Sequence, residues 1–154
     1  MERDEIIATI RSLPDEIERL LNGLSDTQLR RRENGDAWSV IEVCCHLRDA
    51  GEQSVLRISR LAHEDSPVLE PYDEQQLAIE RNYRQDDIAR VLPAIRAVWT
   101  ALAETLERLP PEAWLRAGSH PERGALTLAS EAERYANHTR IHIDQVRSLL
   151  IGPR

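Results

Sequence analysis

The 154-residue sequence predicts an all-α fold, a four-helix bundle with a long connection between the second and third long helices. Three observations carry that reading. Apolar residues recur at spacings of three and four in four long stretches, the period of a helix with one buried face. No stretch keeps the period-2 alternation of branched residues that a strand needs. Proline and glycine cluster between the four stretches and mark where helices stop.

The first helix spans about residues 3–22, with Ile6, Ile10, Leu13, Ile17 and Leu20 on one face. Pro14 lacks a backbone N–H and crowds the preceding turn, so a kink or break is expected there. Gly23 is suited to the helix's C-terminal end. Ser25 with Gln28 reads as a capping box opening a short turn. The second long helix has the clearest start: Ser39 caps, Glu42 sits three residues on to bond back, and Trp38 is placed to staple onto Val43. Its face continues through Cys44, Leu47, Val55, Ile58 and Leu61. Gly51 within it predicts close approach of another helix.

Residues 64–73, EDSPVLEPYD, form the long connection. Asp86 is the expected cap of the third long helix, whose face runs Ile88, Val91, Leu92, Ile95, Val98, Trp99, Leu102, Leu106 and Leu109; Pro93 is expected to kink it. Pro110 and Pro111 end it, and GSHPERG (118–124) reads as a polar loop. Thr127 opens the last helix, and Gly152 and Pro153 close it. There is no internal repeat, so residues 1–154 read as one domain.

Composition narrows the function. With 27 acidic and 20 basic residues the net charge is −7, and the arginines are interleaved with acids, which disfavours nucleic-acid binding. No run is long and apolar enough for a membrane span. The charged start, MERDEII, lacks the apolar core of a signal peptide, and a cytoplasmic location is expected. Cys44 and Cys45 are adjacent, cannot staple distant segments, and read as small apolar helix residues.

The chemistry concentrates in YANHTRIHIDQ (135–145), where His138 and His142 stand one helical turn apart and can reach one point from the same side. The seam of that helix runs Leu128, Ala132, Tyr135, Thr139, His142, Val146 and Leu149, with His138 on its edge. Spacing alone leaves two readings open, separate core histidines or ligands of a shared cation. A zincin motif is absent, since Thr139 stands where its glutamate would be. His46, beside the apolar face of the second helix, is a candidate third ligand, with Glu42, Asp49 and Gln53 on the same stripe. Bundles build metal sites from facing helices in this way.

Four blocks, WSVIEVCCHLRD, EPYDEQQLA, HPERGALTL and YANHTRIHIDQVRSLL, resemble in order segments of the DinB/YfiT-like family, over nearly the whole chain from Trp38 onward. The resemblance implies a four-helix bundle in which His46, His138 and His142 hold a divalent metal ion. The last block departs from the family pattern at Asn137, where a tryptophan is common, and at Ile141, where a further histidine is. Zn²⁺, Ni²⁺ and Mn²⁺ all accept imidazole. The family's activities imply an enzyme acting on a small-molecule substrate, of the thiol S-transferase, thiol-dependent isomerase or hydrolase type, with a low-molecular-weight thiol as co-substrate and a homodimeric state. The competing expectation is a non-catalytic, stress-associated bundle that binds a metal or small ligand.

Asp49, three residues after His46, is the expected outer partner of a ligand imidazole or proton acceptor, and Glu42 the second candidate base. Each has a simpler reading, Asp49 as a solvated carboxylate and Glu42 as half of the capping box. His120 and Glu122 are expected to fix the turn of their loop, with a place at a pocket rim as the alternative for His120. Tyr135 either packs in the core or closes the pocket, and Gln145 can donate into it. Trp99 and Trp114 read as core and loop anchors, and His63 has no partner at a matching spacing.

Overall fold

The four predicted long helices are present in the computed structural model, which describes residues 1–151. They are α1 (Arg3–Leu21), α3 (Val40–His63), α5 (Ile88–Arg108) and α6 (Leu128–Ile151). The closing signal at Gly152 and Pro153 lies outside the described residues. α1 packs against α5 and α6, and α3 packs against the same two, so α1 and α3 stand diagonally across the bundle. The apolar faces meet in a core that includes Ile10, Leu13, Ile17, Leu47, Ile58, Ile95, Trp99, Leu102 and Val146, all fully buried.

Three of the four expected start signals, at Ser25, Ser39 and Thr127, are realised. Ser25 and Gln28 form a reciprocal capping box on the short helix α2 (Asp26–Arg30), and Ser39 and Glu42 form another on α3. Thr127 and Ser130 exchange backbone-to-hydroxyl bonds of 2.9 and 3.1 Å at the start of α6. Gly23 follows α1 with φ of +79°, where a side chain would be strained. Helices α1 and α5 run on through Pro14 and Pro93, so neither proline breaks its helix. Burial of the flanking faces (Leu13 and Ile17, Val91 and Ile95) outweighs the lost hydrogen bond.

Three expectations need correction. The cap of α5 is Asp87, whose carboxylate accepts Ala89 N–H at 2.9 Å; Asp86 instead accepts Arg48 at 2.9 Å. Two adjacent aspartates are equivalent as signals, and the choice is made by Arg48 on another helix. The connection after α3 contains a further helix, α4 (Glu74–Glu80), capped by Asp73 through Gln76 N–H. The expected loop at 118–124 is a hairpin of β1 (Ala117–His120) and β2 (Gly124–Thr127). The segment before α4 lies against it: Leu69 N–H donates to Ser119 O at 2.8 Å and Ser119 N–H to Pro67 O at 2.9 Å. These strands are too short to show a periodic pattern, and beyond their own pairing β1 takes further backbone bonds from a segment some 50 residues away.

Gly51 is the close approach its position suggested. A Cβ there would lie 2.5 Å from Val98 Cγ1 and 3.0 Å from Trp99 Nε1. Trp99 is fully buried, and its Nε1–H donates to Leu47 O at 2.9 Å, so the ring cannot swing away freely. Gly51→Leu is therefore expected to destabilise the fold by about 1–3 kcal/mol through overpacking. Urea unfolding measures it, and an unchanged midpoint would contradict this account of the α3–α5 contact.

Candidate metal centre

Helices α3 and α6 are neighbours, and this places His46 opposite His138 and His142. The capping box anchors the start of α3, and His46 follows Glu42 by one turn, fully within the buried stretch. Trp38, expected to staple onto Val43, has its ring centred 5.1 Å from that of His46 and 6.2 Å from that of Tyr83. On α6 the tight seam is filled by Tyr135, Ala136, Thr139, Ile143 and Val146, while His138 and His142 are both half-buried at its edge. His142 was expected inside that seam; Ile143 takes the place.

The three imidazoles turn their Nε2 atoms toward one point. His138 Nε2 lies 3.1 Å from both His46 Nε2 and His142 Nε2, and one ligating nitrogen from each ring falls within 4.8 Å of the others. Ring centroids are 4.4–5.0 Å apart, edge to face. A neutral imidazole has one N–H and one in-plane lone pair. At His138 Nε2, either choice satisfies only one of the two contacts. A cation at the centre satisfies all three lone pairs. Two nitrogens on one ion at about 2.1 Å stand about 3.0–3.4 Å apart, which the observed 3.1 Å fits.

Electrostatics point the same way. Burial, with the neighbouring His142 adding to it, pushes His46 down to about 4. Burial and the other two rings push His138 down to about 3, and His142 is also lowered by burial. At neutral pH the rings are uncharged, the form that ligates a metal. Gln145 Oε1 lies 2.7 Å from His142 Nδ1 and holds the proton on that nitrogen, leaving Nε2 its lone pair. His138 Nδ1 is buried without a hydrogen-bond partner.

Both expected carboxylates are buried and engaged elsewhere. Glu42 Oε1 accepts Arg32 at 2.9 Å, Ser39 N–H at 3.2 Å and Ser39 Oγ–H at 3.0 Å, and its Oε2 accepts Arg32 at 3.1 Å. Asp49 accepts Arg48 at 3.0 Å, Arg81 at 2.7 Å and the Tyr83 hydroxyl. It is 1% exposed, so it is no solvated carboxylate, and its charge acts on His46 from a distance. Cys44 and Cys45 are buried and free, and burial pushes the Cys44 thiol up to about 12. His63 is exposed, its Nδ1 against Ser59 O at 2.9 Å.

Beside the triad lies a cavity of about 180 Å³ whose lining includes His138, Glu74, Tyr72, Tyr135 and His120. Glu74 was missed in the sequence. It is the first residue of α4, its side chain is exposed, and its charge reaches His142. The only local signal was Asp73 with Gln76, the cap of a helix too short to show a periodic face.

A bundle of this topology with three inward histidines and an adjoining cavity defines a class, the helical-bundle proteins with a three-histidine centre. The chain belongs to the DinB superfamily, whose family model matches residues 3–146. Relatives in Geobacillus kaustophilus (31% identical, 96% of this chain and 84% of that protein) and Oceanobacillus iheyensis (29%, 95% and 84%) carry the name "Putative metal-dependent hydrolase". YfiT of Bacillus subtilis, 23% identical as a solved structure, superposes with a TM-score of 0.89 over 96% of this chain and 85% of its own; it is described as having "an unusual four-helix bundle topology". The mycothiol-dependent maleylpyruvate isomerase shares the fold at a TM-score of 0.76 and 10% identity, with 95% of this chain matching 61% of that one. Among the described residues, no helix is long and apolar enough to cross a membrane.

The depressed histidines have a measurable consequence for the metal-free chain. Their folded pKa values lie below the ordinary 6.5, so the unfolded chain takes up protons that the folded one refuses. Stability is then full above about pH 6.5 and falls as the pH drops toward 4. Urea midpoints of chelated protein between pH 7 and 4.5 should show this slope, and His46→Gln with His138→Gln should flatten it. A parent profile already flat between pH 6.5 and 5 would contradict the desolvated cluster.

Proposed function

We propose that this chain is a divalent-metal-dependent enzyme of the hydrolase or thiol S-transferase type, with His46, His138 and His142 holding the ion. One observation carries the reading: three converging imidazole nitrogens that no fourth histidine, cysteine or carboxylate joins among the described residues. Structural zinc sites are closed by four protein ligands, whereas catalytic ones keep a position open. When bound, a divalent ion on three neutral ligands supplies the positive charge that makes a water or thiol nucleophilic at neutral pH.

The chain's own residues do the remainder. Burial keeps the imidazoles neutral, Gln145 fixes the tautomer of His142, and Trp38 backs His46. Glu42 and Asp49 enter as positioning residues, Glu42 through the start of α3 and Asp49 through Tyr83 and the charge it lends to His46. Glu74, at the cavity beside the triad and with its charge reaching His142, takes the proton from the incoming nucleophile. The substrate is an electrophilic small molecule held in that cavity. The name of the mycothiol-dependent isomerase supports a low-molecular-weight thiol as co-substrate; a homodimer in the cytoplasm belongs to the same reading.

The test is turnover. Chelated protein reloaded with Zn²⁺, Ni²⁺ or Mn²⁺ is assayed with esters, and with small thiols paired with electrophiles. Activity should appear with one of these ions and fall by more than about 100-fold on chelation or in His138→Ala, since losing even an outer partner of such a site costs 10–100-fold. Turnover that survives chelation would remove the metal from the mechanism. A loaded protein inert toward every pairing would favour the binding bundle.

A further inference from the structure

The cavity beside His138 has a second wall that the metal centre does not explain. Glu131 on α6 is fully buried, and three guanidinium groups converge on its single carboxylate. Arg123 donates to both oxygens at 2.9 and 3.2 Å, Arg134 donates at 2.8 Å, and Arg57 stands 3.5 Å away. All three arginines line the cavity. One buried carboxylate against three guanidiniums leaves two positive charges uncompensated within the cluster. Such an excess is costliest at Arg57, which is buried, and less so at Arg123 and Arg134, whose side chains are each 36% exposed, unless the cavity's contents answer it.

The lining contains two more carboxylates, Glu74 and Glu122, and their placement decides the sign. Both are exposed, and no ion pair ties either to the three arginines among the described residues. Water screens them, and it also reaches the partly exposed side chains of Arg123 and Arg134, whereas Arg57 is buried and screened far less. The wall is therefore cationic at its buried end, Arg57, while Glu74 and Glu122 lie at the exposed rim.

His120 adds a neutral donor of fixed direction. Its Nδ1 accepts the backbone N–H groups of Glu122 at 3.1 Å and Arg123 at 3.3 Å, so the proton resides on Nε2. The residue is only 6% exposed, and it lines the cavity. This answers both expectations for His120, since one ring nitrogen fixes the turn while the ring faces the cavity. The side walls are aromatic: the Arg57 guanidinium lies 5.7 Å over the ring of Tyr72, and that of Arg134 lies 4.5 Å over Tyr135. A guanidinium carries five N–H groups, so each arginine keeps donors not spent on Glu131; beside a fixed imidazole N–H and between aromatic faces, these suit a carboxylate on a flat or unsaturated carbon frame.

We propose that this cavity is a carboxylate subsite: Arg57, Arg123 and Arg134, with His120 Nε2–H, bind the carboxylate of a small organic acid beside the histidine triad. The inference deepens the enzymatic reading by naming the substrate's class, and it rests on that reading only for the word substrate. Anion binding itself depends on the arginines and His120, with or without metal.

The probe is benzoate, with benzamide as its neutral counterpart, titrated at low ionic strength into chelated and into metal-reloaded protein. Binding is followed by proton–nitrogen NMR at the guanidinium and imidazole signals, and metal content is measured in parallel. Benzoate should give saturable shifts in both preparations and benzamide none. Arg123→Gln and Arg134→Gln, each with helix content and metal uptake retained, should weaken benzoate by about tenfold or more, the scale of a charge-assisted hydrogen bond. Equal binding of benzamide, absence of any saturable shift, or unchanged benzoate affinity in both variants would overturn the subsite. Metal uptake without benzoate binding leaves the metal centre standing and the subsite refuted; benzoate binding without metal uptake does the reverse.

Discussion

Three neutral imidazoles are forced together where α3 crosses α6, and most of what surrounds them follows from that desolvated contact. Rings buried this closely cannot all charge, because each proton would sit beside two others in a poorly solvated seam. Nor can they satisfy one another, since His138 Nε2 meets two neighbours at 3.1 Å with a single in-plane lone pair or proton to offer. A protein that pays for such a cluster in stability gains three lone pairs converging on one point. That arrangement suits a cation and very little else.

The scaffold makes the contact possible by fixing α3 at its start and along two sides. The Ser39–Glu42 box pins the start of α3, Trp99 ties Leu47 O to α5, and Gly51 lets α5 come close enough to do so. Asp49 gathers Arg48, Arg81 and Tyr83 on the outer flank of α3, joining it to the connection that carries α4. That connection closes one side of the cavity with Tyr72 and Glu74, the hairpin supplies His120 and Arg123, and α6 supplies His138 and Arg134. The long crossover and the small hairpin are therefore parts of the site more than spacers between helices.

How much of this was legible in the sequence follows from the range of the interactions. Helix starts at Ser25, Ser39 and Thr127 depend on a residue three positions away, and they could be read directly. The four long apolar faces are periodic, so the bundle could be read too, and a resemblance of four blocks to a known family pointed His46 to its partners on α6. The caps at Asp86 and Asp87 could not be told apart, because the decision belongs to Arg48, 38 residues earlier. The hairpin and α4 are too short for a periodic signal. The three arginines on Glu131 come from α3, the hairpin and α6, and nothing local marks Arg57 among the chain's twenty basic residues. Glu42 and Asp49 were singled out as carboxylates near a histidine; spacing could place them, but it could not show that arginines already held them.

The most direct test of the account is the metal content per chain of protein purified without chelator or nickel resin, measured by mass spectrometry beside His46→Ala and His138→Ala. The converging nitrogens predict close to one divalent ion per chain in the parent and its loss in both variants, with each variant's helix content intact. An empty parent that also refuses Zn²⁺, Ni²⁺ and Mn²⁺ on reconstitution would contradict it, and the three histidines would then be a buried polar cluster of the core.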